Sequence, residues 1–337
     1  MNDNTLAFGA AHMKSEHGQC SYQNPDGWCC DQPCGESGLC YWHDPKIDKS
    51  KDDVKKKVEQ WAAAGKPLDG FQLARTNLVD IDLVNRGCKE GFSCRDADFY
   101  RADLTDAHFF GLDLRGTSMM KSKLVGANLH CAKLDDCNLL GAELSRAKLE
   151  NIEWGDCLKQ EKEARYALRK KGRKQAIILC QEAEEVCRNI RKQCEKQGLF
   201  EMAGDFFKRE MRFRRYQMPR LSVKRIISKL VDLFCGYGED PARVVGFSIF
   251  LILICALAYF FLDTTGAHPI YEGVTGWQFY LLEFFNSLYF SVVTFTTLGY
   301  GDISPVGVAR FIAAFEAFLG SFTMALFVVV FVKKMTR

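Results

Sequence analysis

The stretch TFTTLGYGD, residues 294–302, decides how the C-terminal part of this chain folds. Backbone carbonyls can stack into oxygen rings that replace the hydration shell of a cation, provided that each carbonyl points to one shared axis. Such a backbone needs angles that a Cβ disfavours, and Gly299 and Gly301 adopt them at low cost. Thr297 adds a hydroxyl at the inner end of the stack, and the ring of Tyr300 is expected to pack against the preceding helix. The stretch therefore predicts a cation filter.

Residues 297–302 resemble the signature T-x-G-Y-G-D of the potassium channel family. An aromatic pair precedes the signature as it does on the family's pore helix, and Gly320 falls where many members have a hinge glycine in the inner helix. The resemblance implies that the transported ion is K⁺. It assigns Thr297, Leu298, Gly299, Tyr300, Gly301 and Asp302 to the selectivity filter, with Tyr289, Phe290 and Thr296 as its supports.

Two apolar runs surround this filter. The first, residues 244–262, would form a helix of roughly 28 Å at ~1.5 Å per residue, which is enough to cross a bilayer. The second is residues 306–332, and between them residues 279–296 lead into the filter as a re-entrant pore helix. Residues 241–337 are thus predicted to form a two-transmembrane pore domain similar to the simplest potassium channels. Gly236-Tyr237-Gly238 repeats the tripeptide without a preceding threonine or apolar helix, so we expect a turn there.

The distribution of charge predicts the orientation. No Lys or Arg occurs between residues 244 and 309, whereas basic residues flank both spans. Because Lys and Arg accumulate on the cytoplasmic side, we expect a multi-pass cell-membrane protein with both termini in the cytoplasm. Asp263, Glu272 and Asp302 would then lie at the outer mouth and attract cations. One filter strand per chain requires four chains for a closed ring, which predicts a homotetramer. No arginine-rich span is present, so a voltage sensor is excluded.

Glu316 is an ionisable residue at membrane depth, where a functional role is the default hypothesis. We favour a structural role, in which its carboxylate bonds the back of the pore helix. Further along the same span, Phe327 and Phe331 are candidates for a hydrophobic gate where four copies converge. The alternative is that these two rings face lipid.

Cysteines and a histidine cluster near the start of the chain, within residues 1–50. A C-x-x-H pair that follows other cysteines at short spacing suits a structural zinc site with four protein ligands. The alternative is a cysteine-rich arm of reduced thiols without metal, because a cytoplasmic location disfavours disulfides. The candidate ligands are Cys30, Cys40 and His43, with either Cys20 or Cys34.

Apolar residues recur at every fifth position from Phe99 to Trp154, a period that belongs to neither helix nor simple strand. An earlier register is visible at Leu73, Leu78, Leu83 and Cys88. The pattern resembles pentapeptide-repeat proteins, and the resemblance implies a right-handed quadrilateral β-helix for residues 71–155, after a short helical linker at residues 51–70.

Residues 156–218 are predicted to form a charged helical hairpin that resembles a tetratricopeptide unit, broken at Gly198. Cys180, Cys187 and Cys194 lie on its apolar stripe and are expected in the core. Such a hairpin must pack on the repeats, on symmetry mates or on an unknown cytoplasmic protein partner. Residues 219–240 combine basic and apolar residues, which predicts an amphipathic helix lying on anionic membrane lipids.

The sequence as a whole predicts a multidomain membrane protein that conducts K⁺ passively, with cytoplasmic repeats that either regulate the pore or only assemble it. The alternative is a membrane-anchored scaffold with a non-conducting pore. Net charge is only +3 over 337 residues, and the repeats are nearly neutral, so no nucleic-acid mimicry or binding is expected. The six histidines are scattered without a nucleophile or base arrangement, so no enzyme is expected.

Overall fold

The computed structural model describes residues 18–88, 90–170, 172–262 and 276–336. They form two compact units that divide between Gln217 and Met218. The first seventeen residues of the cysteine-rich arm lie outside the described residues, and so do Asp263 and Glu272, which we expect at the outer mouth.

The first unit is built around a coil of pentapeptides, here called the repeat coil, residues 71–155. Parallel bridges join residues twenty apart, such as Asp98 to Ser118 and Asp103 to Lys123, so one turn of the coil takes four pentapeptides. Among the described residues the backbone of the coil consists of isolated β-bridges and turns, and it contains no long strands. The predicted inward positions are all buried, as expected from the period of five: Phe99, Leu104, Phe109, Leu114, Met119, Leu124, Leu129, Leu134, Leu139, Leu144, Leu149 and Trp154.

The first turn of the coil departs from the predicted register. Gln72 bridges to Asp98, a separation of 26 residues, because six extra residues lie between Leu83 and Cys94. Cys94 is buried, whereas Cys88 is exposed. The assignment of Cys88 to an inward position is therefore wrong, since the loop that contains it bulges out of the coil.

Three helices follow the coil, and not the two of the predicted hairpin. They are α2 (Lys159–Lys170), α3 (Arg173–Lys196) and α4 (Phe200–Gln217), while a short α1 (Lys55–Ala63) precedes the coil. The extended backbone of Gly172 caps α3 and ends the continuity with α2. Cys180, Cys187 and Cys194 are fully buried, which confirms their place in the core.

The predicted packing of these helices on the repeats is observed at the last turn of the coil. The Asn189 side-chain amide donates to the carbonyl of Ala142 at 2.8 Å. The Gln197 side chain donates to the Ala147 carbonyl and accepts from the Leu149 amide. These side chains on and just after α3 replace the backbone partners that a further turn would supply, so the edge is not left unpaired.

The second unit contains α5 (Val223–Cys235), a 3₁₀ turn (Gly236–Gly238), α6 (Pro241–Phe261), α7 (Trp277–Phe295) and α8 (Ala309–Met335). The turn confirms that the first Gly-Tyr-Gly is not a filter, and Tyr237 in it has a positive φ of 59°. Within the described residues, α6 and α8 are the two helices long and apolar enough to cross a membrane.

Candidate functional site

The filter strand, residues 297–302, leaves the C-terminal end of α7 in an alternating conformation. Thr297, Gly299 and Gly301 have φ values of 57°, 57° and 78°, whereas Leu298 and Tyr300 between them are not in the positive-φ region. A positive φ is unfavourable for a threonine, and glycine removes that cost at the other two positions. Alternation of this kind turns successive carbonyls toward one side, which is the arrangement that a stack of cation ligands requires.

The C-terminal end of the candidate filter strand, at Asp302, is hydrogen-bonded to α7. The hydroxyl of Tyr289 donates to the carboxylate of Asp302 at 2.8 Å, and Phe290 is buried behind it. Tyr300 is 68% exposed, so in one chain its ring does not pack among the aromatics of α7 as expected.

Glu316 is completely buried at the junction of three helices. Its carboxylate accepts hydrogen bonds from Tyr259 of α6 at 2.6 Å and from Ser291 of α7 at 2.5 Å. The hydroxyl of Ser291 also lies 2.9 Å from the carbonyl of Ile252. The carboxylate therefore bonds the back of the pore helix and both long apolar helices at one point.

Gly320 lies where α8 crosses the end of α7. A Cβ at this position would lie 2.0 Å from the carbonyl oxygen of Phe295, a distance that no real contact shows. The helix runs through Gly320 without a break. In this conformation the glycine serves close packing of two helices, a role that the resemblance to a hinge does not suggest.

The candidate gate residues have unequal surroundings. Phe327 is partly buried against a cluster of Cys235, Val244 and Val330. Its ring stacks on Phe331, with centroids 5.7 Å apart, and Phe331 is 46% exposed. Phe331 is thus the freer of the two to face the axis of an assembled pore.

The first unit contains a second candidate site, the Cys/His cluster of Cys20, Cys30, Cys40 and His43. All four residues are buried, and their ligand atoms lie within 4.8 Å of one another. The Sγ atoms of Cys30 and Cys40 are 3.8 Å apart, and Nδ1 of His43 lies 3.1 Å from Cys40. Two thiolates on one tetrahedral zinc are about 3.8 Å apart, because each Zn–S bond is about 2.3 Å. Cys34, the alternative ligand, is outside this cluster.

Hydrogen bonds within the cluster act in opposite directions on its thiols. The contact between Cys30 and Cys40 lowers the pKa of the Cys40 thiol and raises that of the Cys30 thiol, and burial raises the pKa of the Cys20 thiol. Cysteine binds metal as the thiolate.

Asp69 supports the cluster and was not singled out from the sequence. Nε2 of His43 donates to the Asp69 carbonyl at 3.0 Å, which orients Nδ1 toward the thiols. The buried Asp69 carboxylate accepts from Asn24, from Ser93 and from the Arg95 amide. Its only signal in the sequence is a position just before Gly70, where the repeats begin.

Comparison with known proteins agrees with both halves of this description. Residues 247–337 match the family described as "Ion channel". The chain carries an ion-channel domain. Residues 121–151 match the family described as "Pentapeptide repeats (8 copies)", so both family resemblances drawn from the sequence are confirmed. Together with the apolar α6 and α8, the family indicates a membrane protein, and ion conduction is a non-enzymatic function.

Curated relatives match only part of the chain. Protein LctB of Geobacillus stearothermophilus is 40% identical over 73 residues, which are 21% of this chain and 53% of the relative. Protein LctB of Bacillus caldotenax is 36% identical over 74 residues, with the same coverage. The chain thus spans about half the length of the curated relatives it matches.

Similar solved structures include two pentapeptide repeat proteins. One, from the thylakoid lumen of Arabidopsis thaliana, is 22% identical, with 31% of this chain and 76% of that chain covered and a TM-score of 0.17. The other, HetL from the cyanobacterium Nostoc, is 22% identical, with 27% and 54% covered and a TM-score of 0.15. Both scores are too low to compare the shape of the chains.

Proposed function

We propose that the second unit is the subunit of a potassium-selective channel, which conducts K⁺ passively and without a voltage sensor. The observation that carries the proposal is the alternation of φ along Thr297, Gly299 and Gly301. Carbonyls on one side of such a strand offer a dehydrated K⁺ the oxygen ligands that it loses from water. The hydroxyl of Thr297 and the tie between Tyr289 and Asp302 mark the two ends of the strand.

The proposed assembly is a homotetramer. Each chain contributes one filter strand, and one strand provides ligands for a cation on one side only. Leu298 and Tyr300 are 59% and 68% exposed, which leaves apolar surface beside the filter for neighbouring subunits to cover.

Phe331, stacked on Phe327, is the proposed hydrophobic gate. Phe331→Ala should raise basal flux more than Phe327→Ala, and unchanged flux in both variants would remove the gate from the proposal.

We place both termini and the repeat coil in the cytoplasm, with the protein in the cell membrane. The basic residues beside α6 and α8 support this orientation. On α5, Ile226, Ile227 and Leu230 are 53%, 54% and 45% exposed, near Lys224 and Lys229. An exposed apolar stripe beside ammonium groups suits a helix that lies on anionic lipid.

For the first unit we propose a right-handed quadrilateral β-helix that regulates or assembles the pore. The twenty-residue spacing of its bridges supports four sides per turn.

We also propose that the Cys/His cluster holds a structural zinc ion. Three thiols and an imidazole are the donors that zinc prefers, and a closed set of four protein ligands is typical of structural sites. His43 would be held for the metal by its bond to Asp69.

Reconstitution into liposomes under a potassium gradient tests the main proposal. We expect K⁺ flux that greatly exceeds Na⁺ flux. Gly301→Ala, which places a Cβ at a φ of 78°, should abolish this preference. Equal flux of the two ions would refute potassium selectivity. The absence of flux in every lipid would favour the second candidate, a membrane-anchored scaffold whose pore does not conduct.

A further inference from the structure

The first turn of the repeat coil has an edge that no preceding turn covers. Within the coil, backbone amides bond to the turn before: the amide of Asp98 donates to Phe71, and that of Asp103 to Thr76, at 2.8 and 2.9 Å. The equivalent amides of the first turn belong to Gln72, Asn77, Asp82 and Ser93. Unpaired edges of this kind are a liability, since they expose backbone groups to other chains or leave them without a partner.

The segment before the coil supplies partners for two of these four amides. The amide of Gln72 donates to the carbonyl of Trp42 at 2.8 Å. The amide of Asp82 donates to the side chain of Glu59 on α1 at 3.0 Å. Trp42 and Glu59 thus take the place of the missing turn.

Aromatic rings of the same segment close the open end of the coil. Phe71 points inward in the first turn and is completely buried. The ring of Trp42 stacks on it with centroids 5.0 Å apart and an interplanar angle of 4°. Trp61 of α1 packs edge-on against the same ring with centroids 5.5 Å apart, and it lies 6.3 Å from Trp42.

Two residues of the Cys/His cluster flank Trp42 in the sequence. Cys40 lies two residues before it and His43 directly after it. His43 bonds the carbonyl of Asp69 at 3.0 Å, and the Asp69 carboxylate accepts from Ser93 and from the Arg95 amide in the coil. The ring of His43 stacks on Tyr22 with centroids 4.0 Å apart. Tyr22 in turn covers Gly70, where a Cβ would lie 2.3 Å from the tyrosine ring.

We propose that the Cys/His cluster is a metal-dependent cap on the N-terminal edge of the repeat coil. Zinc held by the cluster keeps Trp42 and His43 against the first turn. Loss of the metal opens that turn, while later turns stay paired with one another and with α3. This inference rests on the zinc site proposed above, and it adds a role for the metal that is independent of ion conduction.

Hydrogen exchange on the full-length protein in detergent micelles tests the cap. Zinc content is measured first, and exchange is then compared before and after removal of zinc by a chelator. We expect exchange in residues 68–83 to rise by about tenfold or more, because opening frees their amides. Residues 113–149 should exchange at an unchanged rate. Restoring zinc should restore protection.

The outcomes separate the two proposals. Less than half a zinc ion per chain refutes the zinc site, and the cap with it. Zinc that is present and removable without any change in exchange refutes the cap alone. Faster exchange across the whole coil also refutes it, because the metal would then support the entire fold.

Two variants test whether the cluster acts on the first turn through the bond of His43 to the Asp69 carbonyl. His43→Cys keeps four zinc ligands but loses the bond to the Asp69 carbonyl, so it should bind zinc and still expose the first turn. Exchange equal to that of the parent protein in a zinc-loaded His43→Cys variant would refute the part assigned to His43. Cys34→Ser, outside the cluster, is the matched control and should change neither zinc content nor exchange.

Discussion

Ser291 on α7 donates a 2.5 Å hydrogen bond to Glu316 on α8, and this bond joins the pore helix to the second long apolar helix. The other carboxylate oxygen of Glu316 accepts from Tyr259 on α6. One buried side chain therefore joins α6, α7 and α8 at one point. Burial of such a group is unfavourable unless its bonds are made, so each donor matters for the geometry.

Ser291→Ala should destabilise the pore. It leaves one oxygen of the buried Glu316 without its hydroxyl donor, which costs about 1–3 kcal/mol. We expect a lower thermal midpoint of the detergent-solubilised protein and reduced K⁺ flux. The matched control is Ser287→Ala, one turn earlier on α7. Ser287 is also buried, but its hydroxyl has no partner among the described residues, so its removal should be neutral.

Gly320→Ala should displace the end of the pore helix. The added methyl group would overlap the Phe295 carbonyl, and overpacking of this kind costs about 1–3 kcal/mol. We expect loss of K⁺ selectivity or of flux in liposomes. Gly246→Ala on α6 is the control, because nothing lies within 4 Å of its Cβ position. Wild-type flux in Gly320→Ala would show that the close contact does not matter.

Tyr289→Phe should loosen the outer end of the filter. The change deletes one hydroxyl and its bond to Asp302, while the ring stays in place. We expect a decrease of several-fold in the ratio of K⁺ to Na⁺ flux, because the carboxylate of Asp302 loses its bond to α7. Tyr280→Phe, at an exposed position near the start of α7, should leave the ratio unchanged.

Cys20→Ser should lower the zinc content, and Cys34→Ser should not. Cys20 lies in the cluster with its Sγ 3.5 Å from Nδ1 of His43, whereas Cys34 is partly exposed and outside it. Elemental analysis of the two purified variants decides the matter. Equal loss of zinc in both, or loss only in Cys34→Ser, would contradict the ligand set.

Asp113 should make the repeat coil sensitive to acid. Its burial acts to raise the pKa of the carboxyl, but the hydrogen bonds and charge of Arg115 outweigh burial and lower the pKa below its ordinary value. Because this pKa is lower in the folded than in the unfolded state, ionised Asp113 stabilises the fold above the unfolded pKa of about 4. That stabilisation is lost as the pH falls through the pKa of the folded state. Asp113→Asn should therefore lose less stability between pH 5 and pH 3 than the parent protein, as measured by thermal unfolding.

Periodic and local features were predictable from the sequence. The period of five placed every fifth residue from Phe99 to Trp154 inward, because inward packing repeats at the spacing of the pattern itself. The six-residue bulge that leaves Cys88 exposed was not predictable, since the loop interrupts the pentapeptide pattern without a sequence signal of its own. The break at Gly172 was missed for a related reason: one glycine inside a charged helical pattern is tolerated as often as it ends a helix.

Sites assembled from distant residues needed the tertiary structure. The sequence by itself determined the glycine positions of residues 297–302, the apolar helices α6 and α8 and the repeats, because each depends on neighbours along the chain. Only the tertiary structure decided that Cys20 and not Cys34 joins the cluster, that Gly320 meets Phe295, and that Asp69 connects the cluster to the coil. These are contacts between residues 20 to 26 positions apart, and the turns that bring them together are set by packing and not by local spacing.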